Sequence, residues 1–282
     1  MAGSDGRGLE GKVVLLTGAA GGIGAAAAPL LAAAGARLAL FDRDADALSQ
    51  LVSRLPAGER HRAFTVDLVD DRARARAVAD AQAHFGRIDI LVNNAGLLVG
   101  GHFEAASAER LHALCAVNLY VPLALSAQLI PVMRAQGRGH ILNVISSAGL
   151  LAVPGFAAYN ATKAGLATFT RTLRRELRGT GIRVDAFCPG STASPMTRAM
   201  IDAGGGAGGE AAHGAELPAR ALLQALREPR ELTVVSMRPF GQRAAMFLDR
   251  VFPRLLERLW RTRCDEAYYA VVARAGRAGR SD

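Results

Sequence analysis

Lysine is almost missing from this chain. Of its 34 basic residues only Lys12 and Lys163 are lysines; the other 32 are arginines. Cysteine is scarce as well: Cys115, Cys188 and Cys264 are odd in number, far apart and free of any C-x-x-C pair. That pattern argues against a disulfide framework or a cysteine-built zinc site, and fits a reducing cytoplasm. No metal is expected. The segment Met1 to Gly8 lacks the basic-then-apolar pattern of a secretory leader, which again favours a cytoplasmic location. Charge is absent from Val13 to Ala36, yet five glycines and Pro29 punctuate the stretch and alanine outnumbers leucine. A glycine-interrupted strand, turn and helix accounts for it better than a membrane span.

Short apolar runs alternate with longer helical patterns. Strands are expected at Val13–Thr17, Arg37–Phe41, Arg62–Val66, Ile88–Val92, His140–Ile145, Arg183–Phe187 and Leu232–Ser236. Helices are expected at Ile23–Ala34, Ala45–Leu55, Asp71–Phe85, Glu109–Arg134, Ala158–Arg178 and Pro218–Arg227. This alternation predicts an α/β fold: a Rossmann-type, doubly wound parallel sheet of about seven strands with helices on both faces, followed by a C-terminal helical extension.

The first strand runs into Thr17-Gly18-Ala19-Ala20-Gly21-Gly22-Ile23-Gly24. Glycines there let backbone amides approach a pyrophosphate, which rests at the positive end of the following helix. Asp42 follows the second strand, 18 residues beyond Gly24. A carboxylate there can bind the ribose 2′-hydroxyl of NAD and repel the 2′-phosphate of NADP. Arg43 could instead attract that phosphate, and Asp42 could simply cap a helix, a task Asp44 does equally well. Asp67-Leu68, Asn93-Asn94-Ala95-Gly96, Ser146-Ser147 and Pro189-Gly190-Ser191-Thr192-Ala193-Ser194 follow at the carboxyl ends of later strands. Ligands bind at that edge of an open α/β sheet.

Tyr159 and Lys163 are four apart on a helical pattern, hence on one face. An ammonium about 4 Å from a phenol favours phenolate by roughly 4 kcal/mol at an effective dielectric of ~20. At ~1.36 kcal/mol per pKa unit, the expectation is a phenol lowered by up to a few units, able to act as general acid or base. Keeping lysine here, in a chain that otherwise uses arginine, sets the pair apart.

Together these residues resemble the short-chain dehydrogenase/reductase family over about Leu9 to Ser236. The resemblance rests on Thr17-Gly-x-x-x-Gly22-x-Gly24, Asp67, Asn93-Asn94-Ala95-Gly96, Asn118, Ser146, Tyr159-x-x-x-Lys163 and Pro189-Gly190. It implies an oxidoreductase that moves a hydride between NAD, less readily NADP, and a secondary alcohol or ketone. Asn118, Ser146, Tyr159 and Lys163 would be catalytic. Ser146 would bind the substrate oxygen, with Ser147 as rival; Asn118 would sustain a water-linked relay to Lys163. Cofactor contacts would come from Thr17, Gly18, Gly22, Ile23, Gly24, Asp42, Arg43, Asp67, Leu68, Asn94, Ala95, Gly96, Tyr159, Lys163, Pro189, Gly190, Thr192 and Ser194. Serine at 194 is a mild departure, since threonine is common there. The family also implies a homodimer built on two long helices.

Candidate pocket walls are apolar, among them Leu97, Leu98, Leu150, Leu151, Val153, Phe156, Met196 and Met200, beside Ser146 and Tyr159. A hydrophobic substrate is therefore expected, with the Gly-rich stretch 204–214 as a lid. The chain then departs from the family by continuing for some forty residues. The division expected is an NAD-binding catalytic domain at 1–236 and a basic, partly amphipathic extension at 237–282. From Leu217 onward there are 13 arginines against 7 acids, much of the net +9. Arg250, Arg254, Arg258 and Arg261 fall on one helical face, which reads either as a solvated face of a packed helix or as a peripheral membrane or partner surface. A third reading closes the segment over the pocket. No nucleic-acid partner is expected. A dinucleotide sensor without catalysis is the alternative, although it would not need an intact Tyr159–Lys163 pair.

Overall fold

In the computed structural model, the residues described are 8–190, 192, 214–235, 249, 251, 252, 254, 257, 260 and 264–278. Seven strands form one parallel sheet: β1 Val13–Thr17, β2 Arg37–Asp42, β3 Arg62–Thr65, β4 Ile90–Asn93, β5 Gly139–Val144, β6 Ile182–Cys188 and β7 Leu232–Val234. Their order across the sheet is β3-β2-β1-β4-β5-β6-β7. The order reverses between β1 and β4, which makes their carboxyl ends the switch point where such sheets bind ligands. The helices are α1 Gly22–Ala33, α2 Ala45–Ser53, α3 Asp71–Phe85, α4 Ala108–Cys115, α5 Val121–Ala135, α6 Ala157–Glu176, α7 Glu216–Arg227 and α8 Glu266–Ala278.

β1 is buried along its whole length and reads as a continuous apolar run because helices cover both faces. Its side chains alternate: Val14 and Leu16 join a core with Leu31, Leu40 and Leu222, while Val13 and Leu15 join one with Phe41, Leu125 and Leu173. Asp44 caps α2 by accepting from the Ala47 amide at 2.9 Å, and Asp70 caps α3 through the Arg72 and Ala73 amides. Pro29 lies inside α1 without ending it. The hydrogen bond it withholds is one to the carbonyl of Ala25, a half-buried residue.

Two sequence expectations change. The helix expected over Glu109–Arg134 is α4 and α5 joined by a π turn at Ala116–Tyr120, where the Val121 amide reaches back to the Ala116 carbonyl. Pro122 follows at once and has no N–H to give the carbonyl four residues back, so the α ladder cannot run through unbroken. This run of residues 108–135 is, among the described residues, the one helix long and apolar enough to cross a membrane. Here Leu114, Asn118, Leu125, Leu129 and Met133 are buried within the fold instead. The second concerns the helical extension expected after the sheet: its described helix, α8, lies beyond the amphipathic stretch ending at Arg261. Ser194, Met196, Met200, most of the 204–214 stretch, Ser236, Arg250, Arg258 and Arg261 lie outside the described residues.

Candidate functional site

The glycine loop is latched to the end of β4 by side chains. Thr17 donates to the Val92 carbonyl at 3.3 Å and accepts from the Asn94 and Ala95 amides, both at 3.0 Å. Asn94 returns two bonds through its amide nitrogen, to the Thr17 and Gly18 carbonyls at 3.0 and 3.1 Å. A Cβ on Gly18, whose φ is +63°, would come within 2.8 Å of the Ala95 Cα, and one on Gly24 would run into the Gly18 carbonyl. The loop therefore lies closer to β4 than any side chain permits.

At the start of α1, Gly21 supplies no side-chain cap and the first turn holds no acid. Its amides stay available to an anion, as a dinucleotide pyrophosphate requires. Asp42 reaches across from β2: one carboxylate oxygen takes the Ala20 amide at 2.9 Å, the other the Arg43 and Asp44 amides at 2.8 and 3.3 Å. Because Asp44 caps α2, Asp42 is left to face the loop. Asp67 stands exposed at the end of β3, accepting from the Val69 amide at 3.0 Å, with Leu68 buried beside it. Pro189 and Gly190 follow β6, and Thr192 donates to the Gly190 carbonyl at 3.1 Å. These residues fit a nicotinamide dinucleotide laid over the β1–β4 switch point.

The polar centre gathers on α6. Its buried stripe is Thr162, Lys163, Leu166, Ala167, Thr170 and Leu173, so Lys163 occupies a place where an amphipathic helix normally carries an apolar residue. Lys163 is 4% exposed, and its Nζ donates to the Val144 carbonyl at 3.0 Å. Burial pushes its pKa from 10.5 down to about 8. Asn118 is fully buried in the π turn. Its Oδ1 accepts from the Leu97 amide at 2.7 Å, and its Nδ2 donates to the Leu97 carbonyl at 2.9 Å and to Thr162 at 3.3 Å. A Cβ on Gly96 would sit in ordinary contact, 3.4 Å from Asn118 Oδ1 and 3.6 Å from Lys163 Nζ, so Gly96 lines the space beside both.

Ser146 ends the run out of β5, accepts from the Ala148 amide at 3.2 Å and lies beside the Tyr159 phenol, favouring its ionised form. Of the two candidate serines it is Ser146 that meets the tyrosine. The expected lowering of the phenol does not hold: burial raises the Tyr159 pKa, only partly offset by Ser146. Lys163 lies over the ring, 5.9 Å from its centroid, with its ammonium bonded to Val144, so desolvation outweighs its attraction.

Leu98, Leu151, Phe156 and Tyr159 come together in one apolar cluster, with Val153 at its core. The other half comes from the far end of the chain: Trp260, in the segment that one reading closes over the pocket, and Val272, Val271 and Tyr268, which sequence reasoning missed. The signal that could have found them is the Gly100-Gly101 doublet and Gly155, small residues beside two pocket loops.

A family model described as short chain dehydrogenase matches residues 12–203. The chain is 35% identical over 226 residues to 1-deoxy-11-beta-hydroxypentalenate dehydrogenase of Streptomyces exfoliatus, covering 79% of this chain and 82% of that one. Among solved structures it is similar to a short chain dehydrogenase/reductase from Burkholderia phymatum in complex with NAD. That likeness has a TM-score of 0.77 at 26% identity, over 88% of this chain and 96% of the other. It is also similar to a metagenomic short-chain oxidoreductase in complex with NADP, with a TM-score of 0.66 at 33% identity, over 81% and 96% of the two chains.

Proposed function

Since the chain belongs to the short-chain dehydrogenase/reductase family and is an oxidoreductase of the nicotinamide dinucleotides, we propose that it interconverts a secondary alcohol and a ketone with NAD. The observation that carries this reading is the meeting of Ser146 and Tyr159 beside the buried Lys163, at the same sheet edge as the glycine loop.

The hydride is exchanged at the nicotinamide ring, which is the cofactor's own chemistry. The chain's residues handle the proton. With its raised pKa, Tyr159 rests as a neutral phenol, the form that protonates a carbonyl oxygen as it becomes an alkoxide. In the reverse direction the phenolate takes the alcohol proton. The neighbouring Lys163 ammonium stabilises that phenolate, and Ser146 holds the substrate oxygen against the phenol. Asn118 keeps the Leu97 loop and Thr162 in place behind them. General acid–base catalysis of this kind is worth about 10²- to 10⁴-fold.

NAD is favoured over NADP by Asp42, whose carboxylate meets the glycine loop and would bind a ribose 2′-hydroxyl and repel a 2′-phosphate. A hydrophobic body is favoured for the substrate by Leu98, Leu151 and Phe156 around Tyr159. Residues 1–236 serve as the cofactor-binding body and 237–282 as an extension to it. A cytoplasmic homodimer, with peripheral membrane contact through the arginine-rich extension, completes the proposal. The test is a panel of apolar and polar ketones assayed with NADH and NADPH in parallel. Turnover with NADH on apolar ketones, lost in Tyr159→Phe, is the expected result. Failure to bind NADH, or full turnover by Tyr159→Phe, would sink it.

A further inference from the structure

The residues after β7 touch the body of the protein at points that converge on one loop. That loop, residues 147–156, joins Ser146 to the helix that carries Tyr159. Asp249 accepts from the Ala152 amide at 3.1 Å, and Tyr268 donates its hydroxyl proton to the Pro154 carbonyl at 2.8 Å. Val272 lies 3.3 Å from where a Cβ on Gly155 would stand. Three successive sections of the loop are thus held by one distant segment.

The facing surface is hollowed to receive α8. A Cβ on Gly100 would come 2.9 Å from the Val272 carbonyl and 3.1 Å from the Phe156 ring, and one on Gly101 would come 2.9 Å from the Ala273 Cβ. Gly101 and Gly155 also have φ of +112° and +78°, a region that side chains disfavour, and the Gly101 amide bonds the Gly155 carbonyl at 2.9 Å. His102 completes the dock by stacking on Tyr269 at 4.0 Å and meeting Glu266 at 3.2 Å. Close approach here is built into both partners.

The docked face is continuous with the proton-transfer centre. Val272 is 1% exposed and belongs to the cluster of Val153 and Phe156, against which Leu98, Tyr159, Trp260 and Tyr268 also pack. The wall so formed is aliphatic and aromatic. The Tyr268 hydroxyl is committed to Pro154, and burial pushes its pKa well up, so it stays neutral.

We infer that α8 is the outer wall of the substrate pocket, and that Val272 and Tyr268 set the size of the apolar body an alcohol or ketone can bring to Tyr159. The inference rests on the reading of Tyr159 as the proton-transfer group. A wall without charge discriminates by bulk, and a single methylene in such a pocket is worth about 10- to 200-fold.

The experiment uses the full chain with NADH and three ketones of increasing bulk: cyclohexanone, 1-decalone and a steroid ketone. Val272→Phe is expected to raise KM for the steroid at least ~10-fold while KM for cyclohexanone and the NADH affinity stay within ~2-fold. Val272→Ala shifts the preference towards the bulkiest ketone and carries the test if the phenylalanine variant does not fold. Trp260, the only tryptophan, reports ketone binding by fluorescence apart from turnover. An unchanged size order in both KM and quenching overturns the wall, as does the absence of quenching by all three ketones in the wild type. Full turnover by Tyr159→Phe, with size-dependent quenching still altered in the Val272 variants, overturns the proton-transfer reading and leaves the wall standing.

Discussion

The two ends of the sheet bury charge in opposite ways. At the amino edge, Asp89 is 5% exposed, accepts from the Val13 amide at 2.9 Å, meets Arg87 through both carboxylate oxygens and has Arg138 at 3.9 Å. Nearby, Asp185 is 3% exposed and lies 3.0 Å from His140, 3.7 Å from Arg174 and 3.8 Å from Arg183. At the carboxyl edge Lys163 is buried as deeply, yet its Nζ is bonded to a carbonyl, and no described carboxylate forms an ion pair with it. Paired charges fix strands; an uncompensated one keeps a shifted pKa ready for use. The amino edge is built for permanence and the carboxyl edge for chemistry.

The strongest way to break that contrast is Tyr159→Phe. Turnover is expected to fall about 10³-fold, or roughly 4 kcal/mol, with NADH affinity unchanged. Steady-state kinetics with fluorescence titration of NADH checks both. Asp89→Ala tests the other end: it strands Arg87 and the Val13 amide and should cost about 3 kcal/mol in urea unfolding, with kcat intact. A loss of kcat without a loss of stability would erase the distinction between the edges.

Lys163→Met should abolish most turnover and yet stabilise the ligand-free protein, by ~2–3 kcal/mol near pH 7. The sign follows from the pKa of about 8 against an ordinary 10.5. Below pH 8 the fold holds a proton that the unfolded chain would hold more tightly, so the cost is fully present. Between 8 and 10.5 the unfolded chain binds more protons, and wild-type stability climbs relative to the variant. Above 10.5 the cost is gone. Tyr159, with its raised pKa, acts in the opposite sense above pH ~10, but it is common to both proteins. Urea unfolding of both proteins at pH 7.5 and pH 10 measures the change; a gap that does not move would refute it. The smallest effect is expected from Asp42→Ala, which should narrow the preference for NADH over NADPH by ~10-fold, about 1.4 kcal/mol.

Much of the fold was legible because each strand is an apolar run bounded by turn residues and each long helix has a buried stripe. The placement of most candidate residues up to Thr192 was legible for a related reason: Asn118 apart, they follow the carboxyl ends of strands or the glycine loop, or lie on the helix after β5. The pKa of Tyr159 was not, because the pairwise attraction of Lys163 can be read from spacing whereas desolvation depends on the whole surrounding fold. Nor was the break at Ala116–Tyr120 read, although Pro122 offered a cause, since apolar periodicity continues on both sides of it. The docking of α8 was hidden for a different reason. Its partners, Gly100, Gly101 and Gly155, lie more than a hundred residues away, and a glycine in a loop announces flexibility as readily as a neighbour's backbone.

That separation has a consequence for the order of assembly. The Tyr268–Pro154 bond closes a loop of 114 residues, and contacts so distant form late because loop-closure entropy must be met first. On the ribosome, β1 to β6 and their helices emerge before any residue of α8 exists. The nascent chain therefore acquires its dinucleotide platform first and its selective pocket last, so a half-made protein is equipped to hold cofactor well before it can choose a substrate.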